Sequence, residues 1–160
     1  MSAVRDSRPG APPALAVDEV DTRYLESLIG YNARRAALAM IDVVVPRMAD
    51  YELRPVDFSV LSLVLHNPGI TSRQLCTTLG ILPPNLVGMV SAFEARHLIV
   101  RTPHPRDRRA MGLQLTAAGR KLMRKAERTA AQLEAQRAAR LTAAESRTLI
   151  RLLQKIYRGE

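Results

Sequence analysis

Residues 71–115 leave this 160-residue chain few ways to fold. Thr71-Ser72-Arg73-Gln74 puts a hydroxyl at a helix start with Gln three residues later. That is a capping box, in which side chains satisfy two orphan backbone N–H groups reciprocally. Leu75, Cys76 and Leu79 give the short helix it opens one apolar side, and Gly80 closes it. Pro83-Pro84-Asn85 opens a further helix through Arg96 or His97, with Leu86, Met89, Val90, Phe93 and the following Leu98 inward. Two short helices across a Gly-containing turn form a helix-turn-helix. Ile99 to Thr102 then reads as a strand, and Met111 to Leu115 alternates as its partner. The loop between them begins Pro103-His104-Pro105, and its prolines keep it out of any ladder. A hairpin directly after a helix-turn-helix is a winged helix.

The flanks read as helices. Residues 1–17 hold Pro9, Gly10, Pro12 and Pro13 without an apolar period, which predicts a disordered tail. Apolar residues from Leu25 to Val45 recur every three or four positions, predicting one helix from about Val20 to Met48. Asp21 or Thr22 can cap its start, and Pro46 should kink or end it. A second helix runs from about Pro55 to His66, burying Phe58, Leu61, Leu63, Val64 and Leu65. Thr116 caps a helix from Ala117 to about Arg140. Thr142-Ala143-Ala144-Glu145, a second capping box, opens the last helix, to about Tyr157. The expected class is therefore mainly α with a small β-hairpin wing. Its expected parts are a tail at 1–17, an N-terminal dimerisation helix at 18–53, a winged domain at 54–116 and C-terminal dimerisation helices at 117–160.

Charge narrows the partner. The net charge is +9, and between Arg96 and Lys125 nine basic side chains meet one acid, Asp107, so eight of those nine charges fall in 30 residues. A balance of this kind favours a polyanion, nucleic acid or an anionic membrane surface. The cluster sits on a hairpin rather than along an amphipathic helix, which argues against the membrane. Six aromatics are too few for a single-strand binder that stacks bases. One cysteine excludes an internal disulfide framework and a cysteine zinc finger, and the three scattered histidines suggest no metal site. No apolar run approaches a bilayer span, and the N-terminus lacks a signal peptide's apolar core, so a cytoplasmic protein is expected. No paired carboxylates, nucleophile–base pair or phosphate loop point to an enzyme, and no cofactor is implied.

The ordered set of motifs closely resembles the MarR family of bacterial transcription regulators. The residues that carry the likeness are F-S-V-L at 58–61, I-T-S-R-Q-L at 70–75, F-E-A-R-H-L-I-V-R at 93–101 and D-R-R-A-M-G-L-Q-L-T-A-A-G at 107–119. The last resembles the family's wing signature. Pro83-Pro84 departs from the one proline or none of many members, and His97 stands where many carry Gly.

The resemblance implies double-stranded DNA as partner, read as a pseudo-palindrome by a homodimer. Pro84, Asn85, Gly88 and Met89 would face the major groove, Asn85 bonding to bases or phosphates, Gly88 permitting close approach and Met89 meeting a thymine methyl. Gly88 and Met89 have the alternative of packing the core. Ser72, Arg73 and Gln74 would meet phosphate at a helix N-terminus, a role compatible with plain capping. On the wing, Asp107 and Arg109 would form a shaping ion pair, leaving Arg108 and Arg106 to reach DNA. Family members often bind small phenolic or aromatic acids, and the corresponding pocket for an organic anion would be bounded by Tyr31, Asn32, Arg35, Phe58 and Ser62. Gly30, mid-helix beside it, has the alternative of close helix packing. Leu25, Leu28, Ile29, Leu149, Leu152, Leu153 and Ile156 exceed what one winged domain can cover and predict a two-fold interface. The expected function is a repressor released by such an acid. Its rivals are a winged-helix module docking an acidic protein, and a redox regulator using Cys76, though the place of that thiol on the apolar side of its helix fits a buried structural role better.

Overall fold

The computed structural model describes residues 19–103 and 111–158. The tail expected over 1–17 and the wing-tip residues Arg106, Asp107, Arg108 and Arg109 lie outside them. The chain divides into two compact units, with the boundary between Arg35 and Ala36.

The first unit corrects the single long helix. α1 spans Arg23–Glu26, and α2 runs Ile29–Ala49, carrying the unit boundary inside it. The Asp21 carboxylate accepts the Arg23 backbone N–H at 3.0 Å, so Asp21 serves the helix start, and Thr22 offers no side-chain cap. The break has a local cause. Asn32 Nδ2 donates to the carbonyls of Glu26 and Leu28, at 2.7 and 2.8 Å. A side chain thus takes the Glu26 carbonyl that a continuous helix would give to the Gly30 N–H. Gly, among the weakest helix formers, offers little resistance there.

In the second unit α2 continues through Pro46 to Ala49 instead of ending at the proline. Proline withdraws the bond that would go to Asp42, a loss near a helix end that the buried Met48 two residues later offsets. α3 spans Pro55–His66 and buries Val60, Leu61 and Val64, while Phe58, Leu63 and Leu65 are half-buried against the core. Its start is held by Arg54, whose backbone N–H and guanidinium all donate to Asp57, at 2.8 to 2.9 Å.

A two-residue strand, β1 (Ile70–Thr71), precedes α4 (Ser72–Leu79) and α5 (Pro83–Ala95). β2 (Ile99–Pro103) and β3 (Met111–Leu115) follow, giving an antiparallel sheet of order β1-β3-β2. β1 has no expectation behind it; its register is Ile70 to Leu113 and Thr71 to Gly112. A Cβ on Gly112 would lie 2.6 Å from the Gly69 carbonyl oxygen, so the strands meet there only because residue 112 is Gly. Pro103, expected outside the ladder, pairs with Met111 at its end. β2 is an edge strand, where a missing N–H is tolerated.

α6 (Ala117–Arg137) packs on α3, and α7 (Ala143–Arg158) follows with no buried residue. Met48, Leu61, Leu75, Leu86, Leu113 and Met123 are fully buried, so one core joins α2 to α6 through the sheet.

Candidate nucleic-acid interface

The helix-turn-helix is built by its caps. Thr71 Oγ1 accepts the Gln74 N–H at 3.3 Å, and Gln74 Oε1 accepts the Thr71 N–H at 2.9 Å. Gly80 ends α4 at φ 64°, a left-handed turn that glycine adopts without a Cβ penalty. Ile81 N–H donates back to the Cys76 carbonyl at 3.2 Å. The two helices are bent by 119° across this turn, inside the range of about 90–120° for a helix-turn-helix.

α5 buries Leu86, Met89, Val90 and Phe93 and turns Pro84, Asn85, Gly88, Ser91 and Ala92 outward. Asn85 and Gly88, expected to face DNA, are exposed. Met89, at 8% exposure, packs in the core, the alternative open to it, and has little surface for a thymine methyl. Its spacing from Leu86 and Phe93 places it on the inner row. Val87, which the apolar period passed over, is 59% exposed beside Gly88. Arg73 and Gln74 are exposed at the α4 start, with Ser72 half-buried beside them.

The cationic run divides in two. Arg96 donates to the Glu52 and Tyr51 carbonyls at 2.9 and 3.1 Å and pairs with the Glu52 carboxylate at 3.3 Å. Arg101 holds both oxygens of Glu94, at 2.8 and 3.1 Å, fastening β2 to α5. Those hydrogen bonds from Arg101 hold the Glu94 carboxyl below its ordinary range. Arg120 donates to the Leu115 carbonyl at 2.6 Å. Lys121, Arg124 and Lys125 are exposed.

The residues expected to bind an organic anion fare unevenly. Both amide hydrogens of Asn32 are committed to backbone carbonyls, leaving only an acceptor for a ligand. The Ser62 hydroxyl donates to Glu127, which His66 Nε2 contacts at 3.0 Å. Tyr31 is half-buried and Arg35 exposed in the first unit, and Phe58 is half-buried in the second. Cys76 is half-buried against the core.

Leu25, Leu28 and Ile29 are exposed in the first unit. On α7, Leu149, Leu152, Leu153 and Ile156 are exposed by 38 to 62%. Among the described residues no group of His, Cys, Asp or Glu is placed to hold a metal ion. No single helix among them is long and apolar enough to cross a membrane.

Residues 51–110 match the model of the MarR family. A putative transcriptional regulatory protein for the hcr operon of Thauera aromatica is 29% identical over 133 residues, 82% of this chain and 80% of that protein. A CouR transcriptional repressor solved on a 23-mer DNA duplex superposes with a TM-score of 0.77 at 38% identity, covering 88% of this chain and 99% of that one. CouR from Rhodococcus jostii RHA1, solved with p-coumaroyl-CoA, gives 0.76 at 28% identity, covering 82% and 93%.

Proposed function

The chain belongs to the MarR family of transcription regulators, and on that premise we propose that it acts as a homodimeric repressor reading a pseudo-palindromic operator in double-stranded DNA. The observation that carries this reading is the 119° bend between α4 and α5, with α5 turned outward along Pro84, Asn85 and Gly88. Helix-turn-helix proteins lay such a helix in the major groove and contact the backbone with the one before it. Arg73 and Gln74 then meet phosphate at the α4 start, where free N–H groups and the helix dipole favour an anion. Arg106 and Arg108 are further proposed DNA contacts. The likeness to a repressor solved on DNA supports the same partner.

The dimer rests on α7. Leu149, Leu152, Leu153 and Ile156 recur as i, i+3, i+4 and i+7, one helix face, and all are exposed. In the N-terminal unit Leu25, Leu28 and Ile29 are exposed as well, and we assign them to the dimer interface. A two-fold pair spaces two α5 helices for half-sites one DNA turn apart. Residues 54–116 read DNA, and the helices on either side hold two readers in register.

The effector is an aromatic acid or its coenzyme A thioester, which the p-coumaroyl-CoA complex of CouR supports. Tyr31 and Arg35 of the N-terminal unit are proposed contacts, with the Arg35 guanidinium suited to a carboxylate or phosphate. Such a ligand releases DNA only by binding the released conformation more tightly than the bound one.

The test is duplex affinity against salt with the full chain. Sequence-preferring binding whose logarithm falls linearly with log salt supports the reading. Weak binding without sequence preference refutes it and favours a module docking an acidic protein.

A further inference from the structure

Given α5 in the major groove, which rests on the reading above, its exposed side chains decide which bases it can select. Pro83–Ala95 contains no Lys, Arg or His. Its one acid, Glu94, is occupied at both oxygens by Arg101. The commonest guanine contact, Arg or Lys bidentate to O6 and N7, is therefore unavailable from this helix.

What α5 does offer is an amide, a hydroxyl and a branched hydrocarbon. Asn85 and Ser91 are exposed, and Val87 is 59% exposed while Leu86, Met89, Val90 and Phe93 are buried. At 3.6 residues per turn, Pro84, Gly88 and Ser91 form the middle of the outward face, with Asn85 and Val87 on its two flanks. Gly88 has no reason in the chain's own packing, since an added Cβ would meet nothing within 4 Å. Glycine is unfavourable inside a helix, but here it lets base edges approach the backbone between the two flanks.

We infer that α5 selects A·T pairs, with Val87 packing on a thymine C5 methyl and Asn85 bonding to adenine. In the major groove the methyl group is what an apolar side chain can use to tell thymine from cytosine. Asn spans adenine N6 and N7 by the same geometry. Guanine, where the operator contains it, is read by groups outside α5.

The experiment selects the tightest duplex from a random pool with the full-length protein. Each thymine of that duplex is then replaced, one at a time, by deoxyuridine, which lacks only the methyl. One position in each half-site should weaken binding about fourfold, the cost of one exposed methyl. V87A should lose a similar factor at each half-site of the thymine duplex, and nothing further on a duplex carrying deoxyuridine at that position in both half-sites. Asn85→Ala should lose on the order of tenfold, chiefly at one A·T pair. V87A lies on an exposed site, and the deoxyuridine series needs no variant at all, so neither readout depends on a fragile protein. A half-site centred on G·C pairs, no deoxyuridine effect at any position, or a V87A loss equal on both duplexes overturns the inference alone. Failure to enrich any duplex overturns the DNA reading itself, and this inference with it.

Discussion

Gly119 and Gly88 both lie inside α-helices, and the same substitution should move their stabilities in opposite directions. Gly119 sits in the first turn of α6, where its N–H donates to Thr116 Oγ1 at 3.0 Å. An added Cβ would collide with the Leu98 carbonyl oxygen and stand 3.0 Å from its carbon and 3.3 Å from its Cα. All three are backbone atoms at the root of β2, so relief requires the main chain to move by roughly an ångström toward ordinary contact distance. That movement strains the Thr116 N–H to Leu98 carbonyl bond, 3.0 Å, and the Thr116 Oγ1 to His97 carbonyl bond, 2.7 Å. Overpacking costs about 1–3 kcal/mol, a weakened cap about 1 and a weakened hydrogen bond about 1. Helix propensity returns about 1 kcal/mol. Gly119→Ala should therefore destabilise by about 2–4 kcal/mol, lowering Tm by roughly 5–15 °C for a chain of this size at fixed protein concentration. Gly88→Ala, with open space at its Cβ, should gain about 1 kcal/mol and a few degrees, while weakening duplex affinity. Circular-dichroism melts of both variants beside the parent give the comparison. A Gly119→Ala protein as stable as the parent would refute the close approach of α6 to β2.

Three other outcomes are expected. Burial raises the Asp57 carboxyl, but the Arg54 hydrogen bonds and the Arg54 and Arg96 charges outweigh it, leaving its pKa below the ordinary 3.8. A depressed folded value gives stability that is complete above 3.8 and lost as pH falls through the folded value, so urea midpoints of the parent should drop more steeply below pH 3.8 than those of Asp57→Asn. Thr71→Ala removes the α4 capping hydroxyl and should cost about 1 kcal/mol, read as a lowered thermal midpoint with reduced duplex affinity. Ile156→Asp places a charge on the exposed apolar row of α7 and should shift sedimentation from dimer to monomer, weakening duplex binding because one half-site is lost.

How much was legible in the chain follows the range of the interaction responsible. Thr71 with Gln74, Gly80, Thr116 and Thr142 act over three or four residues, and each stands in the structure where its local signal places it. β1 escaped because two residues carry no period; it exists through Leu113 and Gly112, some 40 residues away. The α1–α2 break escaped because an Asn at 32 is an unremarkable helical residue until its amide turns back to Glu26. Ser62 looked available because Glu127 lies on another helix. His97 shows the reverse: it stands where the family often has Gly, and its φ of 54° is the left-handed backbone that glycine takes without strain.

The same distinction bears on the charge. A count along the sequence assigns the run from Arg96 to Lys125 wholesale to a polyanion, yet Arg96, Arg101 and Arg120 spend their donors on the protein itself. They brace the turn at Glu52, the root of the wing and the end of β3, while Lys121, Arg124 and Lys125 stay exposed. A guanidinium paired with a carboxylate, as in Arg96 and Arg101, already has its charge matched, whereas Arg120 on a carbonyl keeps its charge and its other N–H donors. The salt slope should therefore follow the cations outside these two ion pairs, and removing Arg101 should loosen the joint between β2 and α5 before it subtracts a phosphate contact. A slope for Arg101→Ala reduced by a full unit with thermal stability unchanged would show that Arg101 faces DNA instead.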